Sequence, residues 1–313
     1  MAEQLMEASF SGHETFPFRY GWLKKGVDAV GERASIFSDD DAMTVLGVGK
    51  NMVRSIRHWC LATQVIEEGK KKEHRGGASL SASTFGRLLF AEKGFDPYLE
   101  DARSLWLLHW QLASTPNRAT TWYWAFSCIH EMEFSKDSLA SVLGRWIAAN
   151  ASKQVSAATL QRDIDCFLRT YVSPRLSGNA VPEDSLDCPL AELRLVRQSD
   201  DSSTYWFNRG PQPTLPDPVV VFAVLDWWTR GAAHLKSLSL YDVAHRPGSP
   251  GRVLKLDEDS LVSRLEKFEE LTDARIVYDE TAGLKQLFRR GSMSSVEALR
   301  LVYRRARKLA GCI

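Results

Sequence analysis

The chain has 313 residues, of which 44% are hydrophobic and 25% charged, with a formal net charge of +1. This is the composition of an ordinary globular protein of two or three domains. No apolar run approaches the roughly 18 residues that span a bilayer, and the N-terminus lacks the basic and apolar regions of a secretory signal. We therefore predict a cytoplasmic protein without a membrane partner. Five widely spaced cysteines argue against a disulfide framework or a zinc site and predict buried free thiols.

Charge is unevenly distributed along the chain. Residues 50–93 carry nine Lys or Arg against four Asp or Glu, and residues 285–313 carry eight against one. Residues 257–280 carry nine acidic residues against three basic ones. Since local patches rather than the total set the field at a surface, the nearly neutral sum hides two basic regions.

A short pattern recurs three times and predicts three similar modules. Asp41–Gly47 resembles Ser138–Gly144, and Leu238–Ala244 is a weaker copy. Gly47 and Gly144 are predicted to end their helices, because glycine accepts a positive φ without strain. A second amphipathic helix follows each copy, with apolar residues spaced three and four apart.

Each second helix is followed by a pattern typical of a β-hairpin. The predicted strand pairs are Val65–Ile66 with Leu80–Phe85, Glu192–Arg197 with Thr204–Asn208, and Arg275–Asp279 with Lys285–Arg289. Two helices followed by a hairpin indicate a helix-turn-helix with a wing. The predicted fold is mainly α with short β-hairpin wings (α+β), in tandem winged-helix modules over residues 1–95, 96–216 and 217–313.

Residues between the repeats predict the connecting helices. Asp96-Pro97 and Asp217-Pro218 each place a carboxylate before a proline, which favours the first turn of a helix. Ser294–Glu297 is a capping box for a last helix that reaches about Leu309. Residues 105–146 are rich in Trp and Tyr. We expect them to form a helical core that joins the modules; a nucleic-acid stacking platform is the alternative.

The first module carries the sharpest binding pattern. The predicted second helix begins near Lys50 and places a polar set away from its apolar face. That set is Lys50, Asn51, Arg54, Ser55, Arg57 and His58. Such a helix can lie in a major groove, where Arg and Asn contact base edges. The alternatives are a merely solvated face and a protein-binding module.

The hairpin loops supply further predicted DNA contacts. The loop at residues 69–77 contains Lys70, Lys71, Lys72 and Arg75, which would contact phosphates without selecting sequence. The third hairpin adds Arg289 and Arg290 as predicted DNA contacts. The last helix carries a basic face, which either contacts phosphates or is simply solvated. The second helix of the third module is acidic, so that module is expected to bind protein instead.

The segment from Phe10 to Trp22 concentrates reactive side chains among aromatic ones. His13, Glu14, Arg19 and Tyr20 are the candidate catalytic residues, because such groups can do acid–base work or hold a phosphate. The alternative is structural: Glu14 or Thr15 would cap a first helix, and His13 would bond the backbone. Standard phosphate-loop, metalloprotease and nucleophile-elbow patterns do not occur in the sequence.

The Ser-Gly-His-Glu-Thr-Phe-Pro sequence at residues 11–17, with the stretch that follows it, resembles the bacterial domain-of-unknown-function family 4007 over most of the chain. The resemblance implies a component of a DNA phosphorothioation system, used in defence against phage, in which sulfur replaces a backbone oxygen of DNA. It implies an endonuclease that nicks one strand before sulfur insertion. The implied partners are a cysteine desulfurase, an ATPase and an ATP-pyrophosphatase-like enzyme.

Two functions therefore compete at this point. The first is a winged-helix DNA-binding protein that nicks one strand, by attack of an activated water or of Tyr20, with Arg19 or a divalent metal stabilising charge. Mg²⁺ or Mn²⁺ is the expected cofactor, without an organic one, and a homodimer is an open alternative. The second is a non-catalytic DNA-binding adaptor or transcriptional regulator that recruits partner enzymes.

Overall fold

The computed structural model describes residues 6–69, 79–173, 188–201, 203–281 and 283–304. The fold is mixed α/β, with helices grouped around small antiparallel sheets. The first group of elements contains α1 (Trp22–Glu32), α2 (Ala42–Leu46), α3 (Lys50–Ala62), β1 (Ile66–Glu68), β2 (Leu80–Ala82) and α4 (Thr84–Phe90).

The second group is joined to the first by residues 91–101. It contains α5 (Ala102–Ala113), α6 (Thr120–Ser127), β3 (Glu133–Phe134), α7 (Lys136–Asn150), α8 (Ala157–Tyr171), β4 (Val196–Gln198) and β5 (Tyr205–Phe207). The third group contains α9 (Asp217–Ala232), β6 (Ser237–Ser239), α10 (Leu240–His245), α11 (Pro250–Val253), α12 (Glu258–Leu265), α13 (Phe268–Leu271), β7 (Ile276–Thr281), β8 (Leu284–Arg289) and α14 (Ser295–Tyr303).

The second and third groups share one sheet topology. The strand orders are β3-β5-β4 and β6-β8-β7, all antiparallel, so the last strand of each group lies in the centre. Among the described residues of the first group, the sheet consists of the β1–β2 pair, in which Ile66 lies opposite Ala82. Ala34 supplies one hydrogen bond to this pair, because its carbonyl accepts from the Leu80 N–H at 3.1 Å. The faint sequence repeat thus corresponds to a repeated order of helices and hairpin.

The helices pack on a continuous apolar core that includes all three groups. Trp59, Trp106, Trp110, Trp122 and Trp124 are all fully buried or nearly so. This confirms the expectation of an aromatic core and opposes the stacking platform, which needs exposed rings. Four of the five cysteines lie in the described residues, and all four are free thiols. Within the same residues, no helix is both long and apolar enough to cross a bilayer.

Several sequence predictions of helices and turns are confirmed. Helix α3 begins at Lys50 and buries the predicted apolar face, and Gly47 ends α2 with a φ of 62°. The Ser294–Glu297 capping box is present at the start of α14. The β7–β8 hairpin has the predicted position.

Other local predictions about the ends of helices and strands are wrong. Gly144 does not end a helix, because α7 continues to Asn150. Residues Pro189–Leu193 form a 3₁₀ turn rather than the start of a strand. The last helix was predicted to reach about Leu309, but it ends at Tyr303, and the backbone of the following Arg304 is extended. The predicted strand end near Phe85 is the beginning of α4, which Ser83 caps.

Asp96 also differs from its predicted role as a helix cap. Asp101 caps α5 instead. The Asp96 carboxylate is buried and accepts hydrogen bonds from the backbone N–H groups of Glu100 and Asp101 and from the Ser104 hydroxyl. It therefore shapes the loop before α5. At α9, the cap position is Pro216, and Asp217 is the first helical residue.

His109 of α5 connects α8 of the second group to α11 of the third. Its Nε2 lies 2.8 Å from the Val253 carbonyl of α11, which can only accept, so this nitrogen carries the proton. Its Nδ1 therefore accepts from the Tyr171 hydroxyl of α8 at 2.8 Å. Burial lowers the pKa of His109 to about 3, so the folded chain holds this ring neutral.

We expect His109 to make the protein acid-sensitive. The unfolded chain protonates this ring near pH 6.5, whereas the folded chain does so only near pH 3. Unfolding therefore takes up a proton in this window, and stability is lost as the pH falls through it. Urea denaturation at several pH values between 6 and 4 measures the free energy of unfolding. In His109→Gln, this free energy should depend less steeply on pH than in the parent, by about 1.4 kcal/mol per pH unit. Tyr171→Phe, which keeps the imidazole ring of His109, should be less stable than the parent but show the same pH dependence of the free energy of unfolding. If His109→Gln also kept the parental pH dependence, the assignment of the acid sensitivity to His109 would be contradicted.

Candidate nucleic-acid interface

The N-terminal segment of residues 10–20 is held by a buried charge in α8. His13 Nε2 lies 3.0 Å from Asp163 Oδ1, and both side chains are almost fully buried. The Thr15 backbone N–H donates to His13 Nδ1 at 3.0 Å, so Nε2 carries the proton and donates to Asp163. The Ser11 N–H at 2.8 Å and the Thr121 hydroxyl at 3.0 Å also donate to this carboxylate. The oxygens of Asp163 thus accept three hydrogen bonds, two from the N-terminal segment and one from α6.

The same segment holds helix α3 from its inner side. The Ser55 hydroxyl donates to the His13 carbonyl at 2.9 Å, and the Trp59 indole N–H donates to the Phe16 carbonyl at 2.8 Å. The His13 ring stacks near Trp59, at 6.2 Å between centroids. Ser55 is therefore a buried anchor of α3, not the surface residue that its helical position predicted.

His58 is the second residue of α3 that was predicted on the polar face but turns inward, where its side chain is half-buried. Burial is the main cause that lowers its pKa to about 3, and His13 and nearby arginines act in the same direction. A Cβ atom at Gly12 would lie 2.3 Å from His58 Nδ1. Any side chain at residue 12 would therefore collide with the imidazole ring, which explains the glycine beside His13.

The four candidate catalytic residues have four different surroundings. His13 is inside the protein, with both ring nitrogens bonded. Glu14 is partly exposed and its Oε1 lies 3.5 Å from Arg54 Nη1. The Arg19 guanidinium lies over the Trp22 ring at 5.6 Å from the centroid. The exposed Tyr20 hydroxyl donates to Glu192. Only Glu14 of the four contacts the polar face of α3, and a catalytic role for each stays a prediction.

The outer face of α3 carries an exposed polar group near its N-terminus. Lys50, Asn51 and Arg54 are exposed and lie on adjoining turns of the helix. Gly49 occupies the cap position without a side-chain hydrogen bond to the helix. The first backbone N–H groups of α3 thus point out beside Lys50, an arrangement that favours anions. We call Lys50, Asn51 and Arg54 the α3 polar face.

Two arginines flank this helix at the base of the first hairpin. Glu68 of β1 accepts from Arg57 Nη2 at 3.0 Å and from Arg118 Nη2 at 2.8 Å. One carboxylate therefore faces two guanidinium groups at this edge. The predicted phosphate contacts Lys70, Lys71, Lys72 and Arg75 lie outside the described residues.

The two predicted contacts in the third hairpin differ from each other. Arg289 lies against Trp228, with its guanidinium carbon 4.5 Å from the ring centroid, and burial lowers its pKa. Its side chain covers an aromatic ring instead of extending into solvent. Arg290 is exposed. A DNA contact by either residue stays a prediction.

Sequence patterns missed Asp163, Thr121 and Arg118. Each is far along the chain from the residue it contacts, and an acidic residue within an amphipathic helix is normally exposed. For Asp163, the available signal was its position on α8, where it directly precedes Ile164 on the buried side of the helix. Across the described residues, no group of three or more His, Cys, Asp or Glu side chains is placed to hold a metal ion.

A family profile described as protein of unknown function (DUF4007) matches residues 10–303. Two solved structures are similar over nearly the whole chain. "Magnesium ion-bound SspB crystal structure" has a TM-score of 0.84 and 34% identity, covering 92% of this chain and 85% of that one. "SspB crystal structure" has a TM-score of 0.84 and 32% identity, covering 96% and 88%. No curated protein matches the chain.

We expect Gly12→Ala to loosen the contact between the N-terminal segment and α3. The new methyl group would overlap the half-buried His58 ring, and such overpacking costs about 1–3 kcal/mol. Gly31→Ala is the matched control, because Gly31 is exposed in α1 with no atom within 4 Å of its added Cβ. Urea denaturation should show a loss for Gly12→Ala and no loss for Gly31→Ala. Equal stability of the two variants would contradict the described fit.

Proposed function

The chain belongs to the DUF4007 family, and on this premise we propose that it is a DNA-binding component of a DNA phosphorothioation system that nicks one strand. The observation that carries the DNA part is the α3 polar face, an exposed basic helix surface beside a hairpin. The similarity to the two SspB structures supports the place in a phosphorothioation system. Nicking is the activity that the family resemblance implies.

The first group of elements has the element order of a winged helix. Helices α2 and α3 are joined by the short turn at Gly47–Gly49, and the β1–β2 hairpin follows α3. In a winged helix, the second helix of such a pair enters the major groove and the hairpin contacts the backbone. Here the corresponding helix buries one side against α1 and the N-terminal segment and leaves the α3 polar face outward.

The residue types on this face suit base and phosphate contacts. Arg54 offers a planar set of donors for guanine, and Asn51 matches the donor and acceptor of adenine. Lys50 and the free N–H groups at the start of α3 suit a phosphate. The Arg54 side chain is 56% exposed, and its partner Glu14 is 3.5 Å away. That pair is weak enough to exchange for a contact with DNA.

The corresponding helices of the other groups are less suited to DNA. In α8, Asp165 Oδ1 binds Lys136 Nζ of α7 at 2.7 Å, so a carboxylate occupies the outer side. In α12 and α13, the exposed residues include Glu266, Glu269 and Glu270, which repel phosphate. We therefore propose that the first group contacts the duplex and that the third binds a protein partner of the same system.

A specific observation favours a second candidate, the non-catalytic adaptor or regulator. The four candidate catalytic residues have separate surroundings, and His13 has no free ring nitrogen. Glu14 is the one candidate beside the α3 polar face, so it is the residue that the nickase proposal requires. One similar structure is described as magnesium ion-bound, which supports Mg²⁺ as the cation for assay.

We expect Arg54→Ala to weaken binding to a preferred duplex by about tenfold and to reduce discrimination among sequences, since a bidentate base contact supplies about 1–3 kcal/mol. Lys50→Ala should weaken binding to all duplexes and reduce the slope of log affinity against log salt by about one. Fluorescence anisotropy at several salt concentrations measures both. Arg145→Gln, which removes an exposed arginine from α7, is the control. Parental affinity in Lys50→Ala and Arg54→Ala would contradict the interface.

The nickase and the adaptor are separated by incubating supercoiled plasmid with Mg²⁺ or Mn²⁺. If the chain nicks DNA, open circles appear, and Glu14→Gln removes them while leaving duplex binding in place. His13→Ala is a poor test of catalysis because it also breaks the bond with buried Asp163. Plasmid that stays supercoiled despite binding would leave the adaptor as the function. Tyr20→Phe tests the predicted nucleophile in the same assay.

A further inference from the structure

A cavity of about 670 Å³ lies between the second and third groups, far in sequence from the α3 polar face. Its inner wall is the end of α6 and the residues after it, and its opposite wall comes from α10, α11 and the residues after α11. The size falls in the range of small-molecule sites. None of the functions above uses it.

Three basic side chains line this cavity: Lys255, Arg252 and Arg209. Lys255 is only 7% exposed and has a φ of 52°. Residues other than glycine rarely adopt this left-handed conformation, and those that do are often at functional sites. Two histidines, His130 and His245, complete the wall. The cavity therefore concentrates cationic groups around one buried amine.

The charge of Lys255 lacks a carboxylate partner among the described residues. Its Nζ donates to the carbonyls of Phe126 at 3.2 Å and Ala125 at 3.4 Å. It also lies 3.9 Å from the centre of the Phe207 ring. Burial, with Arg252 and Arg209 acting in the same direction, lowers the pKa of Lys255 to about 7. An anion placed beside this amine would relieve the unfavourable charge.

The carboxylates nearest the cavity are engaged elsewhere or lie at its rim. Glu131 lines the wall, and its carboxylate accepts from the His130 N–H at 3.3 Å. Glu258 lies 3.5 Å from His245. Asp257 caps α12 through the Ser260 N–H at 2.7 Å. None of these contacts neutralises Lys255.

A buried hydroxyl gives a second sign of a missing ligand. Ser127 is fully buried and lines the cavity, and its Oγ has no hydrogen-bond partner in the part of the chain that the structure describes. Buried polar atoms nearly always have a partner, so an unpaired hydroxyl in the wall that also holds an amine without a carboxylate partner indicates a ligand with several acceptor oxygens. The outer rim is aromatic: Tyr241 is 69% exposed and Trp146 is half-buried.

We propose that this cavity binds a nucleotide, with its phosphate on Lys255, Arg252 and Arg209 and its base against the aromatic rim. Phosphate supplies the charge and the acceptor oxygens that the inner wall lacks. The volume exceeds that of a phosphate alone, and an exposed Tyr offers a surface on which a base stacks. The nucleotide is either free in solution or the 5′-phosphorylated end of a DNA strand.

The inference is independent of the DNA interface in the first group, because it is tested without duplex DNA. Isothermal titration of the full chain with thymidine monophosphate should give saturable binding in the micromolar to millimolar range. Thymidine should not bind, and inorganic phosphate should bind at least about fivefold more weakly. Lys255→Met, which keeps the buried stem, should weaken binding at least about tenfold. Lys93→Gln, which removes an exposed cation near α4, should bind as the parent does.

Arg209→Gln keeps the test decisive if Lys255→Met does not fold, because Arg209 is exposed; it should also weaken thymidine monophosphate binding. Oligothymidylates with and without a 5′-phosphate distinguish the sources. Tighter binding of the phosphorylated strand, displaced by the mononucleotide, identifies a strand end, and equal binding of the two strands identifies a free nucleotide. Absence of mononucleotide binding at millimolar concentration, or parental affinity in both cavity variants, overturns the proposal. Equal affinity for phosphate and nucleotide overturns the role of the aromatic rim.

The pH dependence supplies a readout that a purely structural role of Lys255 would not give. The affinity of the parent should fall as the pH rises above about 7, because the amine loses its proton. The groups that face it are Arg209, Arg252, Cys128, His130, His245 and Glu131. Subtracting the profile of Lys255→Met removes the contribution of those other groups. Coinciding profiles of parent and variant would overturn the assignment of the phosphate to Lys255.

Discussion

The buried carboxylate of Asp163 is the constraint on which the arrangement of the first group depends. It accepts hydrogen bonds from the N-terminal segment through Ser11 and His13 and from α6 through Thr121. A buried carboxylate is costly unless its oxygens are fully bonded. The segment must therefore take the conformation that satisfies it. Since the same segment accepts hydrogen bonds from Ser55 and Trp59, one charge in α8 fixes both the segment and the rotation of α3.

That rotation decides which side chains the surface presents. With Ser55, His58 and Trp59 turned inward, Lys50 and Arg54 face solvent. The reactive pattern of the Ser-Gly-His-Glu-Thr-Phe-Pro sequence is thus mainly a structural device, while Glu14 alone connects it to the outer face. A rigid mounting suits recognition of DNA, because base contacts require donors and acceptors held at defined positions. The proposed interface and the contacts with the N-terminal segment thus lie on different sides of α3.

Local patterns in the sequence predicted those features that depend on neighbouring residues. The apolar face of α3, the Ser294 capping box and the β7–β8 hairpin follow from periodicity, capping chemistry and turn residues. Features decided by distant partners were not predictable in this way. Gly144 lies inside α7 because that helix packs along α8, and Asp163 is buried because His13 and Thr121 meet it. Helical spacing placed His58 correctly on α3, but the N-terminal segment that covers it has no signal in that helix.

The most direct test of the role of Asp163 is hydrogen–deuterium exchange on Asp163→Asn and the parent chain. The asparagine keeps the shape but places its NH2 group against one of the two sets of donors, either Ser11 and His13 or Thr121, so the segment should detach. Exchange should then accelerate together at residues 9–16 and along α3, while amides in the β7–β8 hairpin keep their parental rates. Faster exchange at residues 9–16 with unchanged rates throughout α3 would contradict the account, because α3 would then hold its position without the segment.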